Sequence, residues 1–344
     1  MNRTIQWLAL LLGIQLLVAL GLHFTGPDLA PGAARVPLLA FDRERVDRLR
    51  LEGPEQAVVT LEKGDAGWTL KELEGFPADT TKVDQLLARL AELQGGIPAA
   101  TSAAAQPRFR VSDQDFERRI GLFAGDQALG TLYLGSSPGM GQIHARAGDS
   151  ERIEVVELAA FDIPVKADDW IDRLLVRVPR EQITAIEIAG LRIERVAATE
   201  GDEPRPRWQA TGLAEGEQLN QQAADTLADR LAELSIGAVL GRDAKAEYGL
   251  DQPALTLTVV RTGGESFTYR IGKSAGNPLY TLQASSRPEY FRIPSYTAEQ
   301  LLEAATRGAL LAPEKAGETA PPAAHAQAED AEEEAAGPAA APES

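Results

Sequence analysis

The 344-residue chain contains no cysteine, only two methionines and three histidines, and aromatic residues make up 6% of it. Without cysteine there can be no disulfide, no thiolate zinc site, no thiol nucleophile and no acylated lipoprotein anchor. The histidines, His23, His144 and His325, lie far apart in sequence, and no D-x-D-x-D loop occurs, so no metal-ligand spacing is present. Positive charge is also scarce. With 34 Lys and Arg against 51 Asp and Glu, the formal net charge is −17, a repulsive field toward any polyanion that argues against nucleic acid as a partner. What remains is ordinary globular composition, 44% apolar and 25% charged, long enough for more than one domain.

The charge is unevenly placed. From Ile5 to Phe24 the chain runs 20 residues without Asp, Glu, Lys or Arg. At 1.5 Å per helical residue this is roughly 30 Å, one hydrocarbon core. A single N-terminal transmembrane anchor is expected over residues 1–24. Arg3 and the amino terminus precede the apolar run, and no Lys or Arg follows until Arg35, so the bulk of the chain is expected outside the cytoplasm. The competing reading, a cleaved signal peptide, needs a shorter apolar core and a nearer cleavage site than Gly32-Ala33-Ala34. His23 is expected at the membrane interface.

Residues 25–40, rich in Pro, Gly and Ala at their start, read as a linker. The other end, 313–344, has no Val, Ile, Leu, Phe, Trp, Tyr or Met and is expected to be a disordered tail. Its eight acids against Lys315 account for −7 of the −17. They are diluted with Ala and Pro, which reads as a solubilising tail rather than a dedicated acidic arm.

Between these ends the chain is self-similar. Arg89-Leu90-Ala91-Glu92-Leu93 recurs as Arg230-Leu231-Ala232-Glu233-Leu234, an offset of 141. Trp68 and Trp208 differ by 140, and Gly135 and Gly272 by 137. Constant order at a nearly constant offset predicts two tandem repeats, 41–176 and 177–312.

Each repeat reads as several antiparallel strands with one principal amphipathic helix, an α+β plan. In the first, strands are expected at Val46 to Leu51, Val58 to Leu61, Trp68 to Leu70, Arg119 to Phe123, Leu129 to Leu134, Gln142 to Arg146 and Arg152 to Val156. Its helix starts after Asp79 and Thr80 and carries Val83, Leu86, Leu87, Leu90 and Leu93 at spacings of three and four, before Gly95-Gly96. In the second, strands are expected at Ile183 to Ile188, Leu191 to Val196, Trp208 to Ala210, Leu255 to Arg261, Ser266 to Ile271, Leu279 to Gln283 and Tyr290 to Ile293. Asn220 caps the matching helix, and a last helix runs from Thr297 to Arg307.

Tyr248-Gly249-Leu250-Asp251-Gln252-Pro253 resembles the Tyr-Gly-Leu-x-x-Pro segment of the domain of unknown function 4340 family. Trp68, Phe76-Pro77-Ala78-Asp79 and the leucine helix resemble that family's Trp, Pro-x-x-Asp and helix segment. Asp169-Trp170-Ile171-Asp172-Arg173 is similar to its junction into a further repeat, with the charges in a different order. In the first repeat Phe109-Arg110-Val111 stands roughly where Tyr-Gly-Leu would. The motif residues are thus Trp68, Pro77, Asp79, Tyr248, Gly249, Leu250 and Pro253. The resemblance implies a bacterial inner-membrane-anchored envelope protein, often linked to ABC-type transporter subunits of gliding-motility systems. It implies no catalytic residue and no cofactor.

Gly135-Ser136-Ser137-Pro138-Gly139 and Gly272-Lys273-Ser274-Ala275-Gly276 both fit G-x-S-x-G, yet each lies between two strands, and only His144 and His325 follow the first. Hairpin turns are the expected reason for both. Gly272-Lys273-Ser274 fails as a P-loop, because Phe267 stands where a glycine is needed. Asp168, Asp169 and Asp172 form the one local acidic cluster, expected to be solvated charge. Trp68, Trp208, Tyr248 and Phe267 are expected to pack in cores rather than form a ligand platform. The expected function is a non-enzymatic binding or assembly module. An envelope hydrolase acting on carbohydrate through carboxylates that converge only in the fold, and a structural spacer, are the rival readings.

Overall fold

A computed structural model describes residues 36–196, 207–274 and 279–312, together with Trp7. The expected span from Ile5 to Phe24 lies outside the described residues apart from Trp7, as do residues 25–35 and the tail. Among the described residues no helix is long and apolar enough to cross a membrane.

The protein is β-rich, with two eight-stranded sheets whose neighbouring strands are all antiparallel, and few helices. The first part supplies β1 (Val36–Pro37), β2 (Arg48–Glu52), β3 (Val58–Gly64), β4 (Gly67–Leu70), β5 (Phe76–Pro77), β6 (Gln94–Gly95), β7 (Arg118–Ala124), β8 (Gln127–Leu134), β9 (Ile143–Ala147) and β10 (Glu154–Val156). The second supplies β11 (Ile183–Ile188), β12 (Leu191–Val196), β13 (Arg207–Thr211), β14 (Ala238–Gly241), β15 (Leu255–Arg261), β16 (Ser266–Lys273), β17 (Tyr280–Ala284) and β18 (Tyr290–Ile293). The alternation that predicts these strands sets which side chains face the core: in β2, Leu49 and Leu51 are fully buried while Arg50 between them is exposed.

The principal helices are α1 (Thr80–Glu92), α2 (Gln221–Ala232) and α3 (Ser295–Ala304). Val83, Leu86, Leu87 and Leu90 form the buried stripe of α1, and Ala224, Leu227, Ala228 and Leu231 that of α2. The caps are the expected ones. Asp79 accepts a hydrogen bond from the Lys82 N–H at 3.0 Å, and Asn220 from Ala223 N–H at 3.2 Å. The closing helix differs from the expected Thr297 to Arg307. It starts at Ser295 and ends at Ala304, and a separate turn, Arg307–Leu310, begins because the Thr306 hydroxyl accepts from Ala309 N–H at 3.2 Å.

The sheets share one strand order. The first reads β10-β9-β8-β7-β2-β3-β4-β5, and the second, taken from β18, reads β18-β17-β16-β15-β11-β12-β13. The segments entering α1 and α2 are also held alike. Ala78 bridges Ile171, the Asp79 N–H donates to Trp170 O (2.8 Å), and the Asp172 N–H donates to Pro77 O (3.0 Å). In the second sheet Leu219 bridges Leu311, the Asn220 N–H donates to Leu310 O (2.9 Å), and the Ala312 N–H donates to Gln218 O (2.7 Å). The edges differ: β14 joins β18, whereas β6 pairs with β1.

The last residues read as linker belong to the fold. Val36 pairs with Gly95, the Leu38 N–H donates to Leu93 O at 2.8 Å, and Leu39 is buried. Leu38 and Leu39 are apolar enough to dock once Pro37 ends the Pro/Gly-rich stretch. The buried apolar residues of both sheets form one continuous cluster, with Val111, Tyr133 and Ile153 in a small satellite.

Candidate functional site: the junction between the sheets

The Pro-x-x-Asp segment and the Asp-Trp-Ile-Asp segment meet where one sheet gives way to the other. Besides the backbone bonds above, the Ala78 N–H donates to Trp68 O at 2.8 Å, which fastens β4 to the start of α1. Trp170 is fully buried, and its indole N–H donates to Pro164 O at 2.9 Å. Lys82 Nζ lies 4.8 Å from the Trp170 ring centroid and donates to Asp169 O at 2.6 Å. Pro77 and Asp79 thus act through backbone groups and a cap.

Across the junction Phe76 meets Phe291 of β18, ring centroids 5.9 Å apart, and both are almost wholly buried. Arg287 lies over the Phe76 ring at 5.4 Å and also donates to Glu289 at 3.0 Å. Glu289 is buried and takes a second bond from Arg242 at 3.1 Å. Burial alone would push its carboxyl up, but the bonds from Arg287 and Arg242 outweigh this and hold it below the ordinary range. On the other side the Ile236 N–H donates to Arg173 O at 2.9 Å, and Tyr269 of β16 donates its hydroxyl to Val176 O at 2.7 Å. A cleft of about 830 Å³ opens here, lined by Asp79, Lys82, Asp172, Arg173 and Arg177 among others.

The acidic cluster is not gathered around a common point. Asp168 accepts from the Val239 N–H at 3.2 Å, Asp172 from the Leu174 N–H at 3.0 Å, and Asp169 lies 3.9 Å from Arg173. Among the described residues no group of three or more His, Asp and Glu could hold a metal ion.

The Tyr-Gly-Leu segment is a crossing point. Gly249 has φ +66° and caps a short turn, and its backbone presses on β16 so closely that a Cβ on Gly272 would lie 2.1 Å from Tyr248 O. In the first sheet a Cβ on Gly135 would lie 2.0 Å from Phe109 O, and Arg110 takes the left-handed conformation at φ 57°. Each crossing is clamped by arginine. Arg146 of β9, buried, donates to Val111 O at 2.7 Å, and Arg270 of β16 donates to Leu250 O. The two arginines come from opposite members of equivalent cross-strand pairs, Tyr133 with Arg146 and Arg270 with Gln283. Arg146 also pairs with Asp113 at 2.7 Å. The Tyr133 hydroxyl first, then Arg146, hold the Asp113 carboxyl below its ordinary range.

A family model described as Domain of unknown function (DUF4340) matches residues 68–253, more than half of the chain. The chain belongs to the DUF4340 family. No curated protein and no solved structure matches it. The DUF4340 match starts at Trp68 and ends at Pro253, so it takes in the Phe76 to Asp79 and Asp168 to Arg177 segments of the junction, both arginine clamps' target loops and all seven motif residues, while Tyr269, Arg287, Glu289 and Phe291 lie beyond it.

Within this DUF4340 chain each G-x-S-x-G segment leaves a strand for the connection to its antiparallel neighbour, β8 to β9 and β16 to β17, as expected of hairpins. The first glycine of each, Gly135 and Gly272, answers in addition to the crossing backbone above, which leaves no room for a Cβ. Ser137 Oγ donates within its own turn, 2.7 Å from Gly139 O and from Gln142 O. His144 Nδ1 is 3.1 Å from Ser136 Oγ but only 2.7 Å from Ser136 O, so a ring N–H there donates to a carbonyl rather than receiving the serine proton. Trp68, Trp208 and Tyr248 are buried and Phe267 packs on the core from partial cover, which disperses the four aromatics over two sheets. Arg146, Arg270, Glu289, Tyr269 and the Phe76–Phe291 contact carry no local sequence signal. Each depends on a register or packing between segments distant in the chain.

Proposed function

We propose that this protein is a non-enzymatic module, anchored in the bacterial inner membrane by the segment Ile5 to Phe24, whose two sheets form an extracytoplasmic binding or assembly platform accessory to an ABC-type transport system. The observation that carries the reading is the use of the family's distinctive residues: Trp68, Pro77, Asp79, Tyr248, Gly249 and Leu250 are engaged in backbone bonds, a helix cap, core packing and loop crossings. A family whose recurrent residues build a scaffold offers surface rather than chemistry to its partners. The apolar run and the charge asymmetry around it support the anchor. The shared strand order, the matched bridges and the offsets of 137 to 141 support a tandem duplication as the origin of the two sheets.

Affinity purification of the full-length protein from native membranes under mild solubilisation tests the partner. Co-purification of an ATPase and permease pair is the expected outcome, and recovery of the protein without any membrane partner overturns it. Orientation has its own test. Because the chain lacks cysteine, a single one introduced at fully exposed Met140 should react with a membrane-impermeant thiol reagent added to cells with a permeable outer layer. Protection of M140C until the inner membrane is broken would contradict the topology.

A further inference from the structure

The two sheets differ at one equivalent position, and the difference opens a cleft. Gly135 and Gly272 mark the same place, each crowded by the carbonyl of a crossing loop, Phe109 in one sheet and Tyr248 in the other. Opposite Gly135, whose N–H donates to His144 O at 2.9 Å, stands His144; opposite Gly272 stands Thr281. The His144 imidazole fills its site, with its centroid 4.6 Å from that of Phe109 and its Nδ1 held by Ser136. Threonine is too short to do this. In the second sheet the space is a cleft of about 440 Å³ whose walls include Tyr248, Tyr280, Thr281, Lys245 and Arg292.

Three features give the cleft a chemical preference. Thr281 lines the cleft, and its hydroxyl, bonded to no other described residue, is open to that space. Lys245 and Arg292 are exposed and in no ion pair among the described residues, in a chain where acids outnumber bases 51 to 34. Glu247 is the one acid in the lining, which leaves it net positive. Two cations and a hydroxyl lining one space match the donor demand of a phosphate group.

We propose that this cleft binds the phosphate group of a small phosphorylated molecule, with Thr281, Lys245 and Arg292 as the phosphate ligands. The proposal does not depend on the membrane or transporter reading. Isothermal titration of the full-length protein with inorganic phosphate and with glucose 6-phosphate, at constant ionic strength set by chloride, tests it. Saturable binding is expected for both probes. T281H should fill the cleft as His144 fills its counterpart and abolish binding, while K245A, at an exposed position that leaves folding untouched, should weaken it roughly tenfold. Absence of saturable heat with either probe, or affinity unchanged in both variants, overturns the proposal.

Discussion

Tyr269 gives the sharpest handle on how the second sheet holds the segment that leads into it. Its ring is 2% exposed, its hydroxyl donates to Val176 O, and burial pushes its pKa from 10.0 up to about 12. The folded state therefore holds the phenol proton more tightly than the unfolded chain does. This contribution is fully present below pH 10, where both states are protonated, and is lost as the pH rises from 10 through about 12, because the unfolded chain ionises first. Two pH units at about 1.4 kcal/mol each amount to roughly 3 kcal/mol. Tyr269→Phe removes the titration together with the bond to Val176 O. Loss of that bond should cost about 1–3 kcal/mol at neutral pH. Denaturant unfolding of both proteins across pH 8 to 12 should show the wild type ahead at the lower end and the gap closing between pH 10 and 12. Other tyrosines and the lysines titrate in both proteins and cancel in the difference. A gap that stays constant with pH would refute the assignment of a buried, neutral Tyr269.

Asp79→Ala should destabilise by about 1 kcal/mol through the lost cap of α1, and Asp79→Asn by much less, as read from denaturant midpoints. Gly272→Ala places a Cβ against Tyr248 O and should cost about 1–3 kcal/mol or more as the crossing loop is pushed off β16; Gly263→Ala, where no atom lies within 4 Å, meets only its positive-φ strain and should cost less. A double-mutant cycle of Phe76→Leu and Phe291→Leu should return a coupling of about 0.5–1.5 kcal/mol, whereas additivity would mean the two rings do not interact across the junction.

Much of this architecture could be read from local pattern. The alternation in Arg48 to Leu51 and in Ile183 to Ile188, the leucine spacing of α1 and the caps Asp79 and Asn220 are short-range signals, and the structure carries them. The helix expected to reach Arg307 shows the limit: Thr306 reads equally well as helix interior or as a new cap, and only the folded chain chooses. The short strands β5, β6 and β14 were not legible, because their pairing is set by partners distant in sequence rather than by their own composition. The site was less legible than the fold. The motif residues could be named from resemblance, but their roles lie in backbone groups, which carry no side-chain signature. Gly135 and Gly272 illustrate this, since their sequence context shows the hairpin but not the carbonyl that arrives from Phe109 or Tyr248 and excludes a side chain.

Differential scanning calorimetry of the full-length chain tests most directly whether the junction joins the two sheets into one cooperative body. The contacts of Phe76 with Phe291, Ile236 with Arg173 and Tyr269 with Val176 predict a single transition with equal calorimetric and van't Hoff enthalpies, shifted as a whole to lower temperature by Phe76→Ala. Two separate transitions, with Phe76→Ala moving only one of them, would contradict it.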